Sequence, residues 1–173
     1  MPKIPATEGG YADCPIGGAL RPKTVGTRGD VAVGPVIFRA AGALEQQPPS
    51  LFEPIDPRSS GVREHPRLRP AAKRDDLFLV AKQLVIVAGS RNVVIAVVDD
   101  NSRPAALFYP PGASQATVSD GSQAVGFEGC DRRVGYPGGI LSAGPQCLTV
   151  EVWVENGDPP QEARLPLGAS CQG

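Results

Sequence analysis

The sequence predicts an all-β domain, a β-sandwich that is loosely immunoglobulin-like and stapled by disulfides. Three observations favour this class. Short apolar runs and apolar–polar alternation recur along the chain, whereas no stretch has the sustained apolar spacing of a capped helix. The 173 residues include 21 glycines and 19 prolines, which suit turns between short strands better than long helices. Four cysteines, none of them closely paired, are spaced as in a disulfide framework.

Residues 1–30 are predicted to form an N-terminal arm and residues 31–173 a single sandwich domain, because the chain is long enough for one sizeable core. The run Gly34–Ala40 is typical of a strand that opens the domain. Prolines and arginines then dominate residues 42–76, which we interpret as a long Pro/Arg-rich surface connection. A loop of this length is often functional, so a binding element is the alternative interpretation.

The middle of the chain supplies four candidate strands separated by turn signals. One of them, Val93–Val98, is apolar on both faces, as expected for a central strand that is covered on both sides. The four candidates are Leu84–Ala88, Val93–Val98, Ala105–Tyr109 and Gln123–Phe127.

The clearest strand runs from Leu148 to Glu155, because apolar and polar residues alternate along it. After a turn signal at Asn156 and Gly157, the run Ala163–Leu167 alternates on the way back and completes a predicted hairpin. Pro166 places this last strand at a sheet edge, since proline has no N–H to donate. The predicted inward set is Leu148, Val150, Val152 and Val154, and the outward set is Thr149, Glu151, Trp153 and Glu155.

The cysteines predict two disulfides and no metal site. A zinc site needs closely spaced cysteines or several histidines, whereas a Gly/Pro-rich stretch separates the nearest pair here and the chain has one histidine. Of the three possible connectivities, we favour Cys130–Cys147 and Cys14–Cys171. The first would close a loop and contribute about 3 kcal/mol, and the second would tie the N-terminal arm to the C-terminal tail and contribute about 5 kcal/mol at most.

Four motifs recur in positions that suggest a known group: Gly34-Pro35-Val36-Ile37-Phe38, Lys82–Gly89, Tyr136–Ile140 and Gly144-Pro145-Gln146-Cys147. Together they resemble those of a group of small, uncharacterised secreted proteins of actinobacteria. The resemblance covers most of residues 30–173, and its most specific part is the block from Cys130 to Cys147. It implies an exported, β-rich domain with cysteines in these places, and it implies no activity and no catalytic residue.

Charge and hydropathy narrow the classes of partner and the compartment. The net charge of −1 argues against a nucleic-acid partner, which a strongly basic surface would favour. No apolar run approaches the ~20 residues that span a bilayer, so no membrane span is predicted. The cysteines favour an extracellular or cell-envelope location. Because residues 1–5 lack the apolar core of a secretion signal, we expect that a signal was removed or that export uses another route.

The sequence contains no clear catalytic constellation, and we predict neither a cofactor nor a metal. The only histidine, His65, falls in the proline-rich connection, a poor position for holding a general base beside a nucleophile. The enzymatic alternative is a hydrolase with a carboxylate pair, in which Asp99 or Asp100 faces Glu128. Asp131 is the other possible partner in that pair. We favour a turn role for Asp99 and Asp100, since aspartates are common in turns for backbone reasons.

Two aromatic residues are the candidate ligand-binding residues. Trp153 lies on the outward face of its predicted strand, and Tyr136 lies in the loop that the Cys130–Cys147 bridge would close. Exposed Trp and Tyr offer flat surfaces to sugars and protein partners. The alternative is that Trp153 packs under the 42–76 connection. We therefore predict an extracytoplasmic binding or structural module for an extracellular glycan or a protein partner, rather than an enzyme.

Overall fold

Two five-stranded sheets make up the fold. The computed structural model describes residues 3–7, 11–14, 29–46, 79–98, 101, 103–109, 121–157 and 159–172. Within them lie one short 3₁₀ helix, Ala41–Gln46, and ten strands. The strands are β1 (Tyr11–Ala12), β2 (Val31–Val33), β3 (Val36–Phe38), β4 (Leu79–Val87), β5 (Val93–Val97), β6 (Ala105–Phe108), β7 (Ala124–Phe127), β8 (Val134–Ser142), β9 (Gln146–Val154) and β10 (Gln161–Leu167). Most of the predicted 42–76 connection, from residue 47 onward, lies outside the described residues.

The strands are distributed so that the chain crosses repeatedly from one sheet to the other. Sheet A has the order β1-β7-β5-β9-β10, and sheet B has the order β2-β3-β4-β8-β6. Neighbours are antiparallel except for β1, which runs parallel to β7. From β5 to β9, each strand lies in the sheet opposite to that of the strand before it. Such crossings between two sheets are typical of β-sandwiches.

One hydrophobic core joins the inner faces of the two sheets. It takes Val85 and Ile140 from β4 and β8 of sheet B, and Ile95 and Val150 from β5 and β9 of sheet A, all with no exposed surface. Because side chains of both sheets share this cluster, the sheets pack face to face. The predicted all-β fold of two sheets is confirmed, and the likeness to immunoglobulin domains stays a prediction.

The central strand β5 is buried on both faces, as its sequence predicts. Val93, Ile95 and Val97 belong to the core between the sheets. Val94 and Ala96 point the other way and join a separate cluster on the outer face of sheet A. The outer face of this sheet therefore needs a cover of its own.

The stretch between Cys130 and Cys147, predicted to be a disulfide-closed loop, contains the nine-residue strand β8. β8 pairs with β4 on one side and with β6 on the other. Its three glycines and one proline resemble turn signals, but Gly138 serves packing: a Cβ there would lie 2.1 Å from Cδ1 of Tyr109. The missing side chain lets the Tyr109 ring lie directly on the strand.

All four cysteines form disulfides as predicted, but the predicted pairing is wrong. The bonds are Cys14–Cys130 and Cys147–Cys171. Cys130 precedes β8 and Cys147 follows it, and nine extended residues span about 30 Å, so β8 holds these two cysteines far apart.

Strand pairing explains the observed connectivity. The parallel pairing of β1 with β7 sets Ala12 beside Phe127, so the chain beyond each strand brings Cys14 to Cys130. Across the β9–β10 hairpin, Cys147 pairs with Pro166, and the tail after β10 then returns Cys171 to β9. In the chain-entropy model, sequence separations of 116 and 24 correspond to contributions of about 5 and about 3 kcal/mol.

We expect non-reducing peptide mapping to recover Cys14 linked to Cys130 and Cys147 linked to Cys171. Trypsin is suited to this test, because lysine or arginine residues separate all four cysteines along the chain. Reduction of the same digest should release four separate cysteine peptides. A recovered Cys130–Cys147 peptide would contradict the connectivity and, with it, the extended strand β8.

Candidate functional site

The outer face of sheet A carries a small apolar cluster. Because successive side chains of a strand point to opposite faces, Val152 of β9 belongs to the core and its neighbour Trp153 to the outer face. This is the orientation that the sequence predicts for Trp153. The outer-face cluster consists of Val94, Ala96, Ala124 and Trp153.

Trp153 is not the exposed platform that the sequence suggests. It is 9% exposed, and Ile4 packs against the outer-face cluster. The segment Lys3–Thr7, which we call the N-terminal cover, supplies this contact. Burying Trp153 in this way removes a large apolar side chain from water. The cover expected from the sequence, residues 42–76, is for the most part outside the described residues.

Tyr136, the other candidate ligand-binding residue, is buried in the core, and its role in binding stays a prediction. It is 4% exposed, and its ring lies 5.0 Å from that of Phe127 in an edge-to-face arrangement. Its hydroxyl donates to the carbonyl oxygen of Glu128 at 2.7 Å and lies 3.4 Å from Sγ of Cys130. Burial raises the pKa of Tyr136 to about 12, and the charges of Glu128 and Asp13 act in the same direction. Tyr136 therefore supports the disulfide from inside the core.

Glu128, a partner in the hydrolase alternative, fastens the N-terminal region. Its Oε2 accepts a hydrogen bond from the backbone N–H of Cys14 at 3.1 Å, and its own N–H donates to the carbonyl of Ala12 at 3.0 Å. Asp131 is exposed, whereas Asp99 and Asp100 lie outside the described residues. The carboxylate pair thus stays a prediction, with one of its members in a structural role.

A pocket of about 360 Å³ opens on the outer face of sheet A beside the cluster. The N-terminal cover forms one wall, strands β5 and β7 form the floor, and β9 contributes a carboxylate. We call it the outer-face pocket. It is lined by Pro5, Ala6, Ala96, Val97, Val98, Gln123, Ala124 and Glu151.

Glu151 gives the outer-face pocket its chemistry. Its Oε2 accepts a hydrogen bond from Nε1 of Trp153 at 3.0 Å, which fixes the carboxylate at the pocket wall. An ionised carboxylate has about four acceptor positions, so Glu151 retains capacity for a donor from a ligand. Gln123 is held by a hydrogen bond from Nε2 to the carbonyl of Ala105 at 2.9 Å. The pocket therefore combines apolar walls with one fixed anionic acceptor.

No protein-family model, curated protein or solved structure matches this chain. Among the described residues, no three or more His, Cys, Asp and Glu side chains are grouped so that they could hold a metal ion. Over the same ranges, no helix has the length and apolarity needed to cross a membrane. His65 lies outside them.

Of the residues that form the outer-face pocket, the sequence pattern predicts the orientation of Glu151 but not the contribution of the N-terminal cover. Alternation along β9 places Glu151 on the same face as Trp153, so the sequence alone predicts on which face the carboxylate lies. The positions of Ile4 and Pro5 are not predicted, because they lie in an arm with no periodicity and meet sheet A only through tertiary contact. The N-terminal cover packs on the outer face of sheet A and thereby forms one wall of the outer-face pocket.

Trp153→Ala should lower the free energy of unfolding by about 3–5 kcal/mol, because it removes a large side chain from a covered cluster. Glu155→Ala, at an exposed position near the end of the same strand, is the control and should change stability by no more than about 0.5 kcal/mol. Trp153 is the only tryptophan, so its emission should be blue-shifted and protected from quenchers. A red-shifted, easily quenched emission, together with unchanged stability of Trp153→Ala, would contradict the burial of Trp153 and indicate an exposed side chain.

Alkaline pH should destabilise the fold through Tyr136. Its pKa is about 12 in the folded state against an ordinary 10.0, so between these values the unfolded chain releases the phenolic proton first and gains stability. The contribution of the neutral phenol is complete below pH ~10 and is lost as pH rises toward ~12. Denaturant unfolding at a series of pH values should show a shallower alkaline loss in Tyr136→Phe than in the unmodified protein. Equal slopes would contradict the burial of this phenol.

Proposed function

We propose that the chain is an extracytoplasmic binding module that recognises a protein partner through the outer-face pocket. The observation that carries the proposal is the pocket itself, where a fixed carboxylate stands beside apolar walls on a sheet face that already accommodates a short peptide segment. That segment is the N-terminal cover, whose Ile4 packs on the outer-face cluster.

The chemistry of the pocket favours a peptide over a sugar. A peptide of similar character would place an apolar side chain against Ala96 and Ala124 and a donor group near Glu151. Stacking of a sugar needs an open aromatic face, and Trp153 is 9% exposed beneath Ile4. A protein partner is therefore the form of the predicted ligand that the geometry supports best, and a cell-envelope glycan is the competing form.

The two disulfides support an extracytoplasmic location. Disulfides persist in oxidising surroundings and are rare in the reducing cytosol, and all four cysteines of this chain are paired. The resemblance to small secreted actinobacterial proteins supports the same location. We propose that the module acts outside the cytoplasm or in the cell envelope.

Arrays of short peptides and of glycans, probed side by side with labelled protein, test the proposal. We expect binding to peptides that carry an apolar residue next to a hydrogen-bond donor. Glu151→Gln should weaken these hits about tenfold or more, because it removes a charge-assisted acceptor at the pocket. Glu155→Gln makes the same charge change at an exposed position outside the pocket and should leave them unchanged.

Three outcomes would count against the proposal. Binding to glycans alone would replace the protein partner with the competing ligand class. Equal losses in the Glu151 and Glu155 variants would move the site away from the pocket. Absence of binding on both the peptide and the glycan arrays would contradict the proposed binding function.

A further inference from the structure

A second concave site, which we call the end cleft, lies at one end of the sandwich where three turns meet. The β2–β3 turn contributes Gly34 and Pro35, the β4–β5 turn contributes Arg91, and the β9–β10 turn contributes Gly157 and Pro159. The cleft has a volume of about 190 Å³. The remaining lining residues are Val152, Val154 and Gln161. It is separate from the outer-face pocket, and its function does not depend on the one proposed there.

Arg91 supplies the charge of the end cleft. It is exposed and forms no ion pair with any described residue, in contrast to Arg39, which pairs with Asp30. The turn that carries it is held on two sides. The carbonyl of Asn92 accepts a hydrogen bond from the N–H of Glu155 at 2.9 Å, and Oδ1 of Asn92 accepts one from the N–H of Gly129 at 3.0 Å. A guanidinium on a fixed turn, with no anion of the described residues paired to it, suits a carboxylate ligand.

Gln161 adds a neutral hydrogen-bonding group to the same cleft. It is the first residue of β10 and pairs with Val152 of β9, so the hairpin ladder fixes its backbone. Its side chain lies beside Gly34, where a Cβ would be 3.5 Å from Oε1 of Gln161. Gly34 has a φ of +53°, which favours glycine. The bare glycine leaves the amide of Gln161 open to the cleft.

We propose that the end cleft binds the carboxylate of a small apolar acid. In this arrangement Arg91 donates to the carboxylate, and the amide of Gln161 donates to it or orients it. The apolar part of the ligand lies against Val152 and Val154. A cleft of about 190 Å³ suits a branched short-chain acid or the last residue of a peptide with a free C-terminus.

Isobutyrate is the probe, and isobutyramide is its uncharged isostere. Titration followed by amide NMR should shift the signals of Arg91, Gly157 and Gln161 with isobutyrate and leave them in place with isobutyramide. So few ligand atoms support a Kd of millimolar order only. Equal shifts with both compounds, or no saturable shift with the acid, would overturn the proposal.

Two variants locate the interaction without touching the core. Gln161→Glu adds a carboxylate to the cleft that Arg91 also lines and should weaken isobutyrate binding at least about tenfold, because the protein then supplies its own anion. Arg91→Gln should weaken binding to a similar degree. Gln172→Glu and Arg132→Gln make the same charge changes at exposed residues that do not line the cleft, and binding should persist in both. Retained binding in Arg91→Gln and Gln161→Glu would overturn the assignment.

A dipeptide acid and its amide identify the source of the carboxylate. If acetyl-glycyl-valine binds more tightly than isobutyrate and its C-terminal amide does not bind, the ligand is a peptide C-terminus. If the dipeptide acid binds no better than isobutyrate, the ligand is a small free acid. Binding of the amide as tight as that of the acid would contradict carboxylate recognition itself.

Discussion

The two-sided burial of the central strand of sheet A is the constraint on which the rest of the structure depends. Sheet B covers the inner face of β5 with the main core. The outer face, with Val94 and Ala96, would be wet unless another part of the chain lay over it, and the N-terminal cover meets that need through Ile4. A cover of five residues has little stability of its own. It is anchored on its C-terminal side by the pairing of β1 with β7 and by the bond from Cys14 to Cys130.

Several weak interactions surround the Cys14–Cys130 disulfide, which anchors the N-terminal cover. Around the Cys14–Cys130 bond, the carboxylate of Glu128 accepts a hydrogen bond from the N–H of Cys14, and the hydroxyl of Tyr136 donates one to the carbonyl oxygen of Glu128. Each hydrogen bond is worth about 1 kcal/mol in general, and together with the disulfide they hold the chain at Cys14 against the end of β7. Both sites then depend on rigid neighbours. The N-terminal cover forms one wall of the outer-face pocket. The turn that carries Arg91 in the end cleft is fixed by hydrogen bonds from Asn92 to Gly129 and Glu155, just beyond β7 and β9.

Local pattern accounts for much of this fold and for little of either site. Alternation predicted β9 and the orientation of Trp153, because a period of two is written in adjacent residues. An uninterrupted apolar run predicted the burial of β5 on both faces. β8 was missed because its glycines serve a distant side chain, as Gly138 does for Tyr109. The disulfide pairing was missed because it depends on the parallel register that joins the chain near Cys14 to β7, far along the sequence. The end cleft depends on three separate turns, and no window of the sequence contains them together.

The crossing pattern of the strands has a consequence for how this chain folds. Between β4 and β9, no strand is hydrogen-bonded to the strand that comes next in the chain, since successive strands belong to opposite sheets. Local hairpins are therefore confined to β2–β3 and β9–β10 among the described strands, and most pairings must wait for loop closures over long distances. Cys14 meets its native partner 116 residues later, after most of the sequence has been synthesised. The topology thus predicts slow folding, limited by the time that distant strands need to find each other. The C-terminal β9–β10 hairpin can form locally, but it is synthesised last.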